Sequence, residues 1–267
     1  MPHFPQMNSN STPGEKGNAL VTGAARRIGR EIAIALAADG WTVGIHHHSS
    51  ADDADALCDE LRTAGKAAYV VAADLGTEDG IDGLIDAAIA AGGALTCLIN
   101  NASVFEHDTL ETVSKASWDS HLNVNLWAPV RLSQALAAGL PADATGNIVN
   151  IADQRVVSIP PGFLSYTISK AGMWAMTQSL ALSLAPRLRV NAIGPGPTLP
   201  SPRQSQEQFD KQASRVPLGH GADAAEIAEG VRYILAAPSL TGQMIALDGG
   251  QHLGWDFPNP DAPPVTE

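Results

Sequence analysis

What most constrains this chain is an alternation. Short apolar runs at 19–21, 42–46, 67–72, 97–99, 148–151, 188–192 and 244–247 take turns with stretches whose apolar residues recur at helical spacing, near 28–38, 52–64, 79–90, 115–138 and 163–184. Strands joined through helices run parallel, because the crossover returns the chain to the end of the sheet where it began. The pattern predicts an α/β fold: a doubly wound parallel sheet in three layers, α/β/α. With 267 residues and 45% hydrophobic content the chain can bury one substantial core, and a single domain is the simplest division. That domain is expected over 18–257. Residues 1–17 and 258–267 are polar, rich in Pro, and lack an apolar period, and read as flexible ends.

Charge narrows the function. A net charge of −12 with no Lys/Arg-rich run argues against nucleic acid or an anionic membrane as the main partner. No apolar run approaches the roughly 20 residues of a membrane span, and the polar N-terminus lacks the basic and apolar regions of a secretory signal. A soluble, cytoplasmic protein acting on a small-molecule substrate is expected. Cys58 and Cys97 form no CxxC pair and read as reduced structural thiols.

The turn after the first strand, Thr22-Gly23-Ala24-Ala25-Arg26-Arg27-Ile28-Gly29, brings small residues to the start of a helix, where backbone N–H groups can approach a pyrophosphate. Gly23 and Gly29 alone are also compatible with mere packing, since Arg27 stands where a middle glycine would be. A guanidinium at that turn can pair with a phosphate. The second strand ends in His46-His47-His48-Ser49-Ser50, with no acid before Asp52. An acid there would hold a bare ribose 2′-hydroxyl. Its absence, with donors on His46, His48, Ser49 and Ser50, favours NADP(H) over NAD(H). No metal site is expected from the three His residues, because adjacent strand residues alternate faces and no carboxylate or Cys cluster accompanies them. Asp74 and Leu75 follow the third strand, where the carboxylate can accept from an adenine amino group or cap a helix. Asn101, Ala102 and Ser103 follow the fourth and can line a cofactor groove in a Rossmann-like sheet.

The stretch from Ile148 to Lys170 carries the chemistry. Asp153 falls where the fifth strand runs out into a loop, Pro160-Pro161-Gly162 breaks the backbone, and a long apolar helix follows. Tyr166 and Lys170 are four residues apart on that helix and share a face. An ammonium beside a phenol stabilises the phenolate, which a tyrosine acid or base requires. The same spacing also arises by chance in many helices.

In their order, Thr22-Gly-x-x-x-Arg-x-Gly29, Asn100-Asn-Ala-Ser103, Asn125, Tyr166-x-x-x-Lys170 and Pro195-Gly196 resemble the short-chain dehydrogenase/reductase family from about residue 18 to 254. The resemblance implies a nicotinamide dinucleotide, Tyr166 as proton donor, and Lys170 as binder of the nicotinamide ribose and tuner of Tyr166. It further implies Asn125 as a helix-distorting water anchor, Pro195 and Gly196 beside the nicotinamide, and Thr198 at its carboxamide. A homotetramer is the family expectation.

One departure points to a subgroup. Asp153 replaces the Ser usual upstream of the tyrosine, as in pteridine reductases and the related dihydromonapterin/dihydrofolate reductases. These also resemble the chain at His46, His48 and Ser50, and from Asn100 to Phe105. That resemblance implies Phe105 stacking on a pterin, and Arg27 and Ser103 contacting both cofactor phosphate and pterin. Ser49 departs from it, because Arg is common there in pteridine reductases. The chemistry implied is hydride transfer from NADPH to a C=N carbon of a dihydropterin, with Tyr166, Lys170 and Asp153 handling the proton. Two other functions stay open: reduction of a ketone, sugar or acyl carbonyl, and a noncatalytic NADP(H)-binding sensor. The polar stretch 199–220 is either a substrate lid or a solvated connection.

Overall fold

A computed structural model of the chain describes residues 16–201 and 203–254. The expected flexible ends lie outside these residues except for Lys16 and Gly17. The Thr42 amide already donates to the Gly17 carbonyl at 2.9 Å, so the sheet's hydrogen bonding reaches that far.

In chain order the elements are β1 (Asn18–Val21), α1 (Arg27–Ala38), β2 (Thr42–His47), α2 (Ala51–Thr63), β3 (Ala68–Ala72), α3 (Glu78–Asp82), α4 (Leu84–Gly92), β4 (Leu95–Asn100), α5 (Lys115–Leu122), α6 (Ala128–Gly139), β5 (Gly146–Ile151), α7 (Leu164–Ser183), β6 (Leu188–Pro195), α8 (Gln206–Ala213), α9 (Ala224–Ala236) and β7 (Met244–Leu247). The strands form one parallel sheet in the order β3-β2-β1-β4-β5-β6-β7. Both faces are covered, which is why β1 and β4 read as nearly unbroken apolar runs rather than alternating ones. On one face Ile32 and Leu36 of α1 pack with Ile227 and Val231 of α9. On the other, Leu84 and Ile85 of α4 meet Leu132 and Leu136 of α6. Each such side chain contributes about 1.5–3 kcal/mol by leaving water.

Two expected helices are interrupted. Gly83 separates α3 from α4 within the helix expected over 79–90. Between α5 and α6 the chain makes a π-helical turn, Asn123–Trp127. Pro129 has no N–H to return to the Asn125 carbonyl, so the α-helical ladder cannot continue there. Bonding shifts by one residue, and the Ala128 amide donates to Asn123 instead. Within 199–220 the chain forms α8, whose start is closed by a reciprocal Ser205–Gln208 capping box.

Strand order reverses between β1 and β4, so the loops leaving their carboxyl ends diverge and open a crevice. The β1–α1 turn, Asp153, Tyr166 and Lys170 all line it.

Candidate active site

A cleft of about 520 Å³ runs across the crevice. Its floor is the β1–α1 turn. Gly23 takes φ 63°, and a Cβ there would lie 3.0 Å from Ala102 Cα. At Gly29 a Cβ would lie only 2.2 Å from the Gly23 carbonyl oxygen. Thr22 is buried and does not line the cleft. Its hydroxyl donates to Ile99 O and accepts from the Asn101 and Ala102 amides at 2.9 and 3.0 Å, stapling the loop after β4 to β1. Asn101 Nδ2 completes the clamp on Thr22 O at 2.8 Å and Gly23 O at 3.1 Å. No side chain caps α1. Its N-terminus, with a cradle too tight for any Cβ, fits the pyrophosphate of a dinucleotide. Ile28 and Leu75 supply apolar lining. Arg27 lies at the turn with φ 55°, a left-handed conformation that costs a non-glycine residue about 1–2 kcal/mol. Its guanidinium lines the cleft and donates to Pro200 O at 2.9 Å and Leu199 O at 3.4 Å.

The end of β2 differs from the sequence expectation. His46 is 2% exposed. Its Nδ1 accepts from the Gly23 amide at 3.0 Å and its Nε2 lies 3.2 Å from Ala73 O, so both nitrogens serve the fold. Burial pushes this imidazole down to about 4, leaving it neutral near pH 7. His46 thus braces the turn and offers no donor to a phosphate. Ser49 and Ser50 do not line the cleft, although Ser50 Oγ accepts from Arg26, which does. Arg26 also pairs with Asp53 at 2.6 Å. His48 lines the rim 3.8 Å from Asp74. Asp74 Oδ1 accepts from the Gly76 amide at 2.8 Å, closing the turn before α3, whose cap is Thr77 and not Asp74, and the residue also lines the cleft.

The reactive end gathers three ionisable groups from two elements. Tyr166 is held in the first turns of α7, and its hydroxyl donates to Asp153 Oδ2 at 2.8 Å. Asp153 follows β5, with Oδ1 accepting from the Arg155 amide at 2.8 Å and Oδ2 lying 3.3 Å from the Arg155 guanidinium. Lys170, 2% exposed, donates to Ile151 O at 2.8 Å and lies 5.8 Å from the Tyr166 ring centre. Burial pushes its ammonium down to about 8, against the raising influence of Asp153. Asn125 is fully buried in the π-helical turn and does not itself line the cleft. Its side chain exchanges hydrogen bonds with Val104 at 2.8 and 2.9 Å and donates to Ser169 at 3.1 Å. It sets the height of the loop carrying Ser103 and Phe105.

That loop forms the aromatic wall. Phe105 stacks on Phe163 with centroids 4.6 Å apart and planes 2° from parallel, and meets Tyr166 edge-on at 4.7 Å. Arg203, from the stretch before α8, lies 5.6 Å from the Phe105 ring and donates to Phe105 O at 2.8 Å. Ser103, Pro195, Gly196 and Thr198 complete the lining.

Residues 17–211 match the short chain dehydrogenase family. The chain belongs to that family. Membership makes it an oxidoreductase and sets aside a noncatalytic sensor. A solved structure of FolM alternative dihydrofolate reductase 1 from Brucella canis, complexed with NADP, is 45% identical. It covers 95% of this chain and 98% of that one, with a TM-score of 0.88. The 3-oxoacyl-(acyl-carrier-protein) reductase FabG of Thermotoga maritima is 31% identical over 238 residues, covering 86% of this chain and 96% of its own. The Staphylococcus aureus FabG is 29% identical over 241 residues, covering 88% of this chain and 98% of its own.

Sequence reasoning missed what holds α7, the helix that carries Tyr166 and Lys170, in place in this short-chain dehydrogenase. Phe163 precedes α7 at φ 58° and offers no capping side chain. The cap comes from Asp108 in the loop after β4. Its Oδ1 accepts from the Ser165 amide at 3.0 Å, and its Oδ2 accepts from the hydroxyls of Ser165 and Ser117, the latter at 3.1 Å. Burial raises the Asp108 carboxyl, but these hydrogen bonds together outweigh it and hold the group below its ordinary value. His121 Nδ1 lies 2.7 Å from Ser165 Oγ, and its Nε2 accepts from the Glu106 amide at 3.0 Å. Aromatic loop, α5 and α7 are thereby tied one residue from Tyr166. Asp108→Ala should lower stability by about 2–4 kcal/mol, since it orphans a buried amide and hydroxyl. Chemical denaturation checks this, and an unchanged midpoint would contradict the capping role.

Proposed function

We propose that the chain is an NADPH-dependent reductase of a C=N bond in a dihydropterin or folate-type substrate. The observation that carries this reading is the hydrogen bond from Tyr166 to Asp153 beside an aromatic wall. The 45% identity to the Brucella FolM protein supports it. Gly23, Gly29, Arg26, Arg27, His48, Asp74, Asn101, Ala102, Ser103, Pro195, Gly196 and Thr198 would hold NADPH, the Arg26 guanidinium giving the end of β2 a positive charge that can meet a 2′-phosphate. When bound, NADPH supplies the hydride.

The chain's residues then manage one proton. Tyr166 Oη holds it and gives it to the ring nitrogen. Asp153, kept beside Tyr166 by Arg155, can receive the N–H edge of an amino-pyrimidine or return a proton to Tyr166. A plain ketone has no such edge. Lys170 provides the positive charge that stabilises a phenolate left behind. Phe105, with Phe163, offers a flat apolar surface to a heteroaromatic ring.

A pH dependence follows from Lys170. Below about 8 the ammonium keeps its proton and supports Tyr166; above it the charge is lost. The logarithm of kcat/KM for reduction should therefore bend downward near pH 8, and Asp153→Asn should move the bend lower, because the carboxylate raises this group. A profile flat through pH 9 would contradict the assignment.

Reduction of a carbonyl compound is the second reading, favoured by the FabG relatives. NADPH oxidation measured with dihydrobiopterin, dihydromonapterin, dihydrofolate and a carbonyl panel separates the two. Brisk ketone turnover with inert pterins would reverse the order. We further propose a homotetramer built by burying Trp118, Trp127, Ile168 and Leu182, which α5, α7 and the π-helical turn leave exposed at 36, 44, 38 and 84%. Light scattering on the purified protein tests it. A cytoplasmic location stays part of the proposal; among the described residues no helix is long and apolar enough to cross a membrane.

A further inference from the structure

Two buried rungs tie the aromatic loop to α7, and Phe105 lies between them. In one, Asn125 exchanges hydrogen bonds with Val104 and donates to Ser169, the residue before Lys170. In the other, His121 accepts from the Glu106 amide at 3.0 Å and lies 2.7 Å from the hydroxyl of Ser165, the residue before Tyr166. His121 and Asn125 are four positions apart, as are Ser165 and Ser169, and Tyr166 and Lys170, so each rung leads to one side chain of the reactive pair. The family resemblance assigns a role to Asn125 and none to His121, a fully buried imidazole that takes no part in the proton transfer.

The hydrogen bonds fix which nitrogen of His121 is bare. A backbone amide can only donate, so Nε2 carries no proton. A neutral imidazole then holds its proton on Nδ1 and donates to Ser165 Oγ, and that hydroxyl donates onward to Asp108 Oδ2. Every donor in the chain points the same way, from the Glu106 amide to the Asp108 carboxylate. Burial holds the imidazole below its ordinary value and so neutral near pH 7, against Asp108, the Ser117 backbone and Glu106, which favour a proton; Arg203 acts with the burial. From α7 the Tyr166 ring meets His121 edge-on at 5.9 Å. A proton on Nε2 would set one N–H against another, and the rung to Glu106 could not close.

We propose that His121 is a positioning residue for the substrate site: it holds Phe105 in register with Tyr166 through a chain that closes only while Nε2 is bare, and the aromatic wall loosens when the imidazole takes a proton. This rests on the reading of Phe105 as the face that receives the substrate ring. Glu106 follows Phe105 directly, so losing its amide bond frees the wall on the side away from Val104, where the Arg203 contacts with Phe105 O and the Glu106 carboxylate remain. The dinucleotide cradle of Gly23, Gly29 and Asn101 makes no use of the rung. Substrate affinity, and not cofactor affinity, is therefore what the proton changes.

Two substitutions cut the chain at different ends. His121→Asn keeps a donor near the Nδ1 position and removes the acceptor for the Glu106 amide; His121→Gln reaches the Nε2 position with a carbonyl oxygen that can still accept it. With NADPH and dihydrobiopterin, KM should rise about tenfold in His121→Asn, as for one orphaned buried donor, with kcat within a few-fold and NADPH affinity unchanged. His121→Gln should restore most of the KM. In the wild type KM should climb as pH falls below about 6.5, the ordinary imidazole value, and the climb should vanish in His121→Gln, whose amide takes no proton. An unchanged KM in His121→Asn, equal rises in both variants, a weakened cofactor, or an acid climb that persists in His121→Gln would overturn the proposal. Nitrogen-15 NMR of imidazole-labelled, NADP-loaded protein needs no substrate: it should show a bare Nε2 and a protonated Nδ1 at pH 7, and the opposite tautomer would overturn the chain. An inert dihydrobiopterin would count against the pterin reading instead, and the tautomer then decides the chain alone.

Discussion

Tyr166→Phe is expected to lower kcat for reduction by about a thousandfold, the middle of the range for removing a positioned general acid. The phenyl ring would keep its edge contact with Phe105 and its place in α7, so NADPH affinity and folding should survive. The loss comes from one hydroxyl, the group 2.8 Å from Asp153. Steady-state turnover with parallel fluorescence titration of NADPH separates the two effects. Turnover within a few-fold of the wild type would remove Tyr166 as the acid.

The second large effect concerns the cradle. Gly29→Ala places a Cβ 2.2 Å from Gly23 O and 2.6 Å from Asn101 Nδ2, closer than real contacts allow. Neither neighbour can yield cheaply. Gly23 O is backbone, and Asn101 Nδ2 is already donating to Thr22 O and Gly23 O. The turn must open, at a cost of about 1–3 kcal/mol for overpacking, which corresponds to roughly a ten- to hundredfold weaker dinucleotide if the strain is carried at the site. Isothermal titration with NADPH measures it. Wild-type affinity would show that the turn does not define the pyrophosphate position.

Much of the fold was legible because the signal was periodic. Apolar runs and helical spacing placed the strands and their crossovers, and a parallel sheet left little freedom in how they were joined. Tyr166, Lys170 and Asp153 were legible because their separation along the chain is short and their elements were already placed. Residues whose role depends on distant partners were not. Asp108 acts on Ser165 across 57 positions, and nothing local marks it as a cap. Phe163 sits at φ 58°, a conformation that no propensity assigns to a phenylalanine. The sequence offers His46 as a phosphate donor because it ends β2 with no acid before Asp52; in the fold Gly23 and Ala73 occupy its nitrogens. Spacing alone cannot say which of the neighbouring guanidinium groups of Arg26 and Arg27 reaches Ser50, and in the fold it is Arg26. Pro129 could have announced the π-helical turn, since a proline four residues after Asn125 denies that carbonyl its α-helical donor.

The proposed preference for a nitrogen heterocycle over a carbonyl rests on the carboxylate hydrogen-bonded to Tyr166. The direct measurement is kcat/KM for a dihydropterin and for the best carbonyl substrate, side by side, in the wild-type protein and in Asp153→Ser. The pterin value should fall by about a hundredfold while the carbonyl value holds or rises, because the hydroxyl still supports Tyr166 but no longer receives the amino-pyrimidine edge. Equal losses on both substrates, or none on the pterin, would contradict it.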